Sequence, residues 1–299
     1  MEGLSIVIPT YNSSSTLDSC LDSINRQSRQ CGDIVVVDRY SMDGTVQIAK
    51  AHGASIIQSS ATRSAARNIG ARGSDSFGVL FVDSDMILLP TLVEECEELL
   101  RQYDSLVVPE ASIGRGFWAT CKRVERENYL GNMLIEAPRC FRRELFLAIG
   151  GYDENLEAGE DWELRQRSAR KGLKLNRTRT MILHDEGEYS LSTAFKRKYM
   201  YGKTVRRYLN RNPSASLIQV NPMIRVMDPG VRIMSHDLKH GLGVIILRGI
   251  EFAGAAAGVV SGRTRAPTED SRHDFTDNFG VVEKEPNSDS KPAARLSAT

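Results

Sequence analysis

Phe81-Val82-Asp83-Ser84-Asp85-Met86 is the stretch on which the reading of this chain turns: an apolar run that ends abruptly in two carboxylates flanking a small residue. Upstream lie three further short runs rich in strand formers, Leu4 to Pro9, Ile34 to Asp38 and Ala54 to Gln58, and the fourth, Val79 to Asp83, leads into the carboxylates. The runs are separated by segments with helical spacing, which predicts βαβ units and a parallel sheet. The first three have few polar residues at their centres, the pattern of strands covered by helices on both faces. Ligands of such sheets bind outside the carboxyl ends of the strands, so Asp83 and Asp85 are predicted to face that crevice. The Asp-x-Asp spacing suits an oxygen cluster holding a hard cation that also bridges a diphosphate. Taken alone, the triplet has a competing structural reading, with Asp85 capping the helix that starts after Pro90.

Working outward, Thr16, Leu17, Cys20, Leu21 and Ile24 form one helical stripe, and Val46, Ala49 and Lys50 begin another after an Asp43-Gly44 turn. A helix near Thr91 to Arg101 leads to a strand at Ser105 to Pro109. The glycines and aromatics between Gly114 and Gly131 then predict a substrate-side excursion before the Gly150-Gly151 turn. Residues 191 to 211 read as a basic amphipathic helix. Residues 242 to 260 are apolar enough to resemble a membrane span, yet Arg248 and Glu251 sit mid-segment. Each would cost about 2.5 to 3.5 kcal/mol at the bilayer centre, which favours a helix lying in the interface over one that spans.

The 299 residues carry a formal net charge of +1, against a dedicated nucleic-acid binder, which would show a strongly basic domain. That average hides three segments. Lys+Arg against Asp+Glu is 22 to 28 over residues 1–189, 13 to 3 over 190–265 and 4 to 7 over 266–299. The expected organisation is a catalytic domain at 1–189, a basic and apolar helical membrane-associating segment at 190–262, and a polar disordered tail at 263–299. The five cysteines are scattered and form no Cys-x-x-Cys pair, so neither a disulfide framework nor a zinc site is expected. With no signal-peptide pattern at Met1, the expected location is cytoplasmic, peripheral to the inner face of the cell membrane.

Five motifs occur in a telling order: Ser5-Ile6-Val7-Ile8-Pro9-Thr10-Tyr11-Asn12, Val36-Val37-Asp38-Arg39 through Asp43-Gly44-Thr45, Ala65-Ala66-Arg67-Asn68-Ile69-Gly70, Asp83-Ser84-Asp85, and Gly159-Glu160-Asp161-Trp162. In this order and spacing the chain resembles the family 2 glycosyltransferases of the GT-A fold over roughly residues 3 to 185. The resemblance implies a Rossmann-like α/β domain with a mostly parallel sheet and helices on both faces, here followed by the C-terminal helical segment. It also implies an inverting, hexosyltransferase-like enzyme that uses a nucleotide diphosphate sugar and Mg²⁺ or Mn²⁺.

By that resemblance Pro9, Thr10, Tyr11 and Asn12 lie at the nucleotide, Asp38 contacts base or ribose, and Asp83 sits at the ribose or a metal-bound group. Asp85 is then the metal ligand, joined by His184. Arg63 and Arg67, four apart and so on one helix face, would meet the nucleotide or diphosphate. Glu160 and Trp162 fall on the acceptor side, and Asp161 is the candidate base for an attacking hydroxyl. The chain departs from the family at Arg39, where a second acidic residue is commoner. The basic C-terminal segment points to a membrane surface and to an acceptor presented there: a polyprenyl phosphate, a polyprenyl-linked oligosaccharide or another glycolipid. A nucleotidyltransferase or a catalytically silent nucleotide-binding module on the same scaffold is the alternative. The former would open with a glycine-rich phosphate loop, which Pro9-Thr10-Tyr11-Asn12-Ser13 does not provide.

Overall fold

The alternation of apolar and β-branched residues in Leu4–Thr10 (β1) puts Ile6 and Ile8 on one side of the strand and Val7 on the other, all three fully buried. Each side is covered by helices. Ile6 and Ile8 join the core of Leu17–Asn25 (α1) and Leu92–Leu100 (α4), whereas Val7 packs under Arg63–Gly73 (α3). The α3 contact is close because position 70 is glycine: a Cβ there would stand 2.3 Å from Val7 Cγ1. The structure is a computed structural model and describes residues 3–132, 135–156, 158–211 and 232–261. The described residues fall in one compact unit reaching to Thr264, and the expected tail at 263–299 lies outside them.

Asp33–Asp38 (β2) and Gly78–Phe81 (β4) flank β1, both parallel to it, and Ser55–Gln58 (β3) pairs in parallel with β2. Pro138–Arg142 (β8), Ser105–Val107 (β6) and Leu175–Arg177 (β9) complete a seven-stranded sheet of order β3-β2-β1-β4-β8-β6-β9. Pairing is parallel except where β8 meets β4 and β6. This is the expected Rossmann-like α/β architecture, with one correction. The third strand is not covered on both faces: β3 is the sheet edge, and its residues are half-buried or exposed. Thr45–Ala51 (α2), Arg143–Ala148 (α6) and Glu160–Arg170 (α7) complete the helices around this sheet.

A second sheet of three strands forms from Met86–Leu88 (β5), Glu110–Arg115 (β7) and Ile182–Glu188 (β10), in the order β5-β10-β7. The chain passes from the large sheet to the small one at Asp83-Ser84-Asp85, which sits between β4 and β5. The segment expected as a loose excursion is regular: β7 runs into Phe117–Glu127 (α5).

Leu191–Arg211 (α8) and Leu238–Ser261 (α9) pack along each other. Their backbones touch, since a Cβ at Gly254 would lie 2.5 Å from the Phe195 carbonyl oxygen and one at Gly258 2.1 Å from that of Tyr199. Small residues four apart permit this kind of approach. α9 also packs on α5 through Val244 and Leu247.

The two α9 charges weighed in the sequence face neither solvent nor lipid. Arg248 and Glu251 are buried at 6% and 2% exposure. Arg248 pairs with Glu125 and Glu251, and Lys122 Nζ lies 3.2 Å from a carboxylate oxygen of each of those two. The opposite face of α9 exposes Leu238, Leu242, Ile246, Ala253, Ala256 and Val260, with Lys239 exposed at its start. By length and composition α9 is also the described helix that could cross a membrane, with a mean hydropathy of 1.7.

Candidate functional site

Asp83 follows β4, and its carboxylate is built into a cage of cations. Arg67 Nη2 donates to Asp83 Oδ1 at 2.7 Å, and Arg139 Nη1 stands 3.6 Å from Oδ2. Burial opposes the charge on Asp83, but Arg67, Arg139 and Arg63 outweigh it and hold the carboxyl well below its ordinary range. Arg67 is itself 1% exposed, stacks 5.0 Å from the Tyr152 ring centroid, and reaches Asp161 Oδ1 with Nη1 at 3.5 Å. A buried guanidinium thus links the end of β4 to the start of α7.

Asp85 turns the other way. Its Oδ2 is 3.2 Å from His184 Nε2, and its backbone carbonyl accepts from Asp185 N at 2.8 Å. The register of β10 against β5, with His184 opposite Met86, creates this contact across nearly a hundred residues. Burial lowers the basicity of His184, yet hydrogen bonds to Asp85 and Glu110 override it and raise the pKa to about 10. Asp85 and His184 could hold a divalent cation only with the histidine proton between them released, since a ligating imidazole must be neutral. No cluster of three or more His, Cys, Asp or Glu suited to a metal occurs among the described residues.

At the ends of β1 and β2, Pro9, Thr10 and Tyr11 line a cleft of about 330 Å³ together with Arg39 and Ser59. Tyr11 is 61% exposed, and the Arg39 guanidinium lies 5.7 Å from its ring centroid. Asp38 is fully buried and accepts from Thr10 Oγ1, Ser41 N and Ser41 Oγ, so its carboxylate braces the loop beside this cleft. Asn12 likewise braces that loop: at φ +48°, it accepts from Met42 N and its own N–H donates to Ser41 Oγ.

A second cavity, of about 440 Å³, lies on the α7 side and is lined by Glu160, Asp161 and Trp162. The two cavities share Arg63, Asp83, His184 and Tyr201. Arg63 Nη2 donates to Glu160 Oε1 at 2.6 Å. Burial and the neighbouring Asp161 push the Glu160 carboxyl up, against the pull of Arg63 and Arg67. Trp162 Nε1 donates to the Ile135 carbonyl, which fixes the indole on the cavity wall. Asp161 keeps about a third of its side chain exposed and lines the second cavity only.

Residues 5–152 match the model of glycosyl transferase family 2. The chain belongs to this family. A glycosyltransferase of Haemophilus influenzae is 26% identical over 255 residues, covering 74% of this chain and 84% of that one. The glycosyltransferase GlyA of Streptococcus pneumoniae is 33% identical over 108 residues, covering 34% of this chain and 16% of that one. Among solved structures, the mannosyltransferase PcManGT of Pyrobaculum calidifontis, in complex with GDP-Man and Mn²⁺, superposes with a TM-score of 0.59 at 16% identity, covering 88% of each chain. S. aureus TarS residues 1–349 in complex with UDP-GlcNAc gives 0.53 at 16% identity, covering 88% of this chain and 92% of that one. The fold is the GT-A fold, and the protein is a glycosyltransferase.

Sequence reading assigns no role to Glu110, Arg139 or Tyr201 of this transferase. Glu110 pairs with Arg139 and Arg126 and faces His184, so it ties the small sheet to Asp83 and Asp85. Arg139, inside the otherwise buried strand β8, carried the one usable signal: an arginine within a core strand needs a carboxylate partner.

Proposed function

We propose that this glycosyltransferase moves a hexosyl group, with inversion, from a nucleotide diphosphate sugar to a membrane-linked acceptor: a polyprenyl phosphate, a polyprenyl-linked oligosaccharide or another glycolipid. The observation that carries the reading is the meeting of two cavities at Asp83, His184, Arg63 and Tyr201, with Asp161 lining the larger one and linked to Asp83 through Arg67. A donor in the smaller cleft has its nucleotide along Pro9, Thr10 and Tyr11 and its diphosphate toward Asp85. Binding of GDP-Man by PcManGT and of UDP-GlcNAc by TarS supports this class of donor.

Asp85 and His184 are the residues that would hold Mg²⁺ or Mn²⁺, and a cation held there would supply positive charge against the leaving diphosphate. Asp83, kept ionised by its arginines, is placed to accept a hydrogen bond from the donor's ribose or sugar. Where the attacking group is a hydroxyl approaching from the larger cavity, Asp161 takes its proton; a phosphate acceptor is already anionic and needs no base, and Asp161 then only positions it. Attack from that side and departure on the other give inversion at the anomeric carbon. Glu160, held by Arg63 and Arg67, fixes the start of α7 and hence the position of Asp161.

The apolar face of α9 and the basic surface of α8, where Lys196 and Lys203 are exposed, support docking at an anionic leaflet on the cytoplasmic side. A thermal-shift panel of UDP, GDP and dTDP sugars with and without Mn²⁺ tests the donor half of this reading. At least one donor stabilises the protein, and more so with the cation. Indifference to every donor would end it.

A further inference from the structure

The larger cavity mixes two kinds of wall. Val108, Leu130, Ile135, Trp162, Val205 and Ala255 supply apolar lining, while seven arginine and lysine side chains also line the cavity. Six of those seven are ion-paired with a carboxylate. Lys198 is the exception: among the described residues it has no hydrogen bond and no ion pair, and its Nζ rests 5.2 Å from the ring centroid of Tyr201, a residue shared by both cavities. A second group points the same way. Arg139 is nine-tenths buried, and its Nη1 has no hydrogen-bond partner, since the Asp83 oxygen is 3.6 Å away. A cavity that keeps an uncommitted ammonium and an unsatisfied guanidinium nitrogen beside an apolar wall suits an anion attached to a hydrocarbon.

We propose that this cavity is a subsite for the phosphate ester of an apolar alcohol, with Lys198 holding the phosphate and the hydrocarbon lying along the wall formed by Leu130, Ile135 and Trp162. The inference rests on reading the larger cavity as the acceptor side. It narrows the acceptor to one whose phosphate is bound inside the protein and not only at the leaflet. Arg139 adds positive charge to the same cavity, and Tyr201, which lines both cavities, stands between that anion and the donor's diphosphate.

The test is calorimetric binding to the full chain of geranyl phosphate, geraniol and inorganic phosphate, for the wild type and for Lys198→Gln and Lys198→Arg. Geranyl phosphate is expected to bind at least about tenfold more tightly than either geraniol or inorganic phosphate. K198Q should remove that advantage over geraniol, and K198R should retain most of it. All three proteins should bind the donor nucleotide alike, which reports that K198Q is folded and leaves the donor reading standing. Equal binding of geraniol and geranyl phosphate, or a K198Q protein that keeps the preference, overturns the proposal. Inorganic phosphate binding as tightly as geranyl phosphate also overturns it, because the apolar wall would then contribute nothing.

Discussion

Replacing Arg67 by methionine separates two roles that sequence alone leaves open. In the structure its guanidinium is spent on Asp83, Glu160 and Asp161, with 1% exposure. Methionine fills much of the same volume but leaves the Asp83 carboxylate, 19% exposed, with Arg139 at 3.6 Å as its remaining ion pair and the Arg63 charge farther off. Removing one partner of a buried pair costs about 3 to 5 kcal/mol, because the remaining charge is stranded. For a chain of this size that corresponds to a drop in Tm of roughly 6 to 20 °C. Thermal and urea unfolding of R67M measure the loss, and R67M/D83N, which removes the stranded charge, should recover part of it. If R67M instead kept its Tm within about 2 °C and lost donor affinity tenfold or more, the guanidinium would be acting on the ligand and not on Asp83.

Asp161→Asn should lower turnover by about 10²- to 10⁴-fold with a hydroxyl acceptor and leave donor affinity unchanged, read as kcat against donor Kd. Gly258→Leu should force α8 and α9 apart, since even a Cβ there meets the Tyr199 carbonyl oxygen at 2.1 Å; limited proteolysis and loss of vesicle binding would report it. Asp83 titrates in the folded chain below the ordinary 3.8, so on acidification the unfolded chain takes up the proton first. The stability contributed by the Arg67 pair is therefore complete above about pH 5 and drains away below about pH 4, seen as a Tm gap between wild type and D83N that narrows in acid.

The large sheet was legible because β1, β2 and β4 are buried on both faces and their apolar runs stand out against polar turns. The small sheet was not: β5 has three residues, and its partners lie far along the chain, so no local pattern announces it. Asp83, Asp85 and Asp161 could be singled out as candidates because carboxylates at strand ends and helix starts stand apart from an apolar context. Asp38 stands out just as plainly, and its hydrogen bonds from the hydroxyls of Thr10 and Ser41 are a matter of side-chain geometry that spacing does not encode. The charges of α9 show the same limit from the other side. A mid-helix Arg248 reads as a cost until its partner Glu125 arrives from α5, more than a hundred residues earlier.

The most direct measurement is turnover of a nucleotide diphosphate sugar panel by the wild-type chain and by Asp85→Ala, each with Mn²⁺, with Mg²⁺ and with chelator. Wild type should consume at least one donor only when the cation is present, and D85A should lose that activity while keeping its Tm within about 3 °C. Turnover that survives both chelator and D85A, or a folded wild-type protein that neither binds nor consumes any donor, would contradict it.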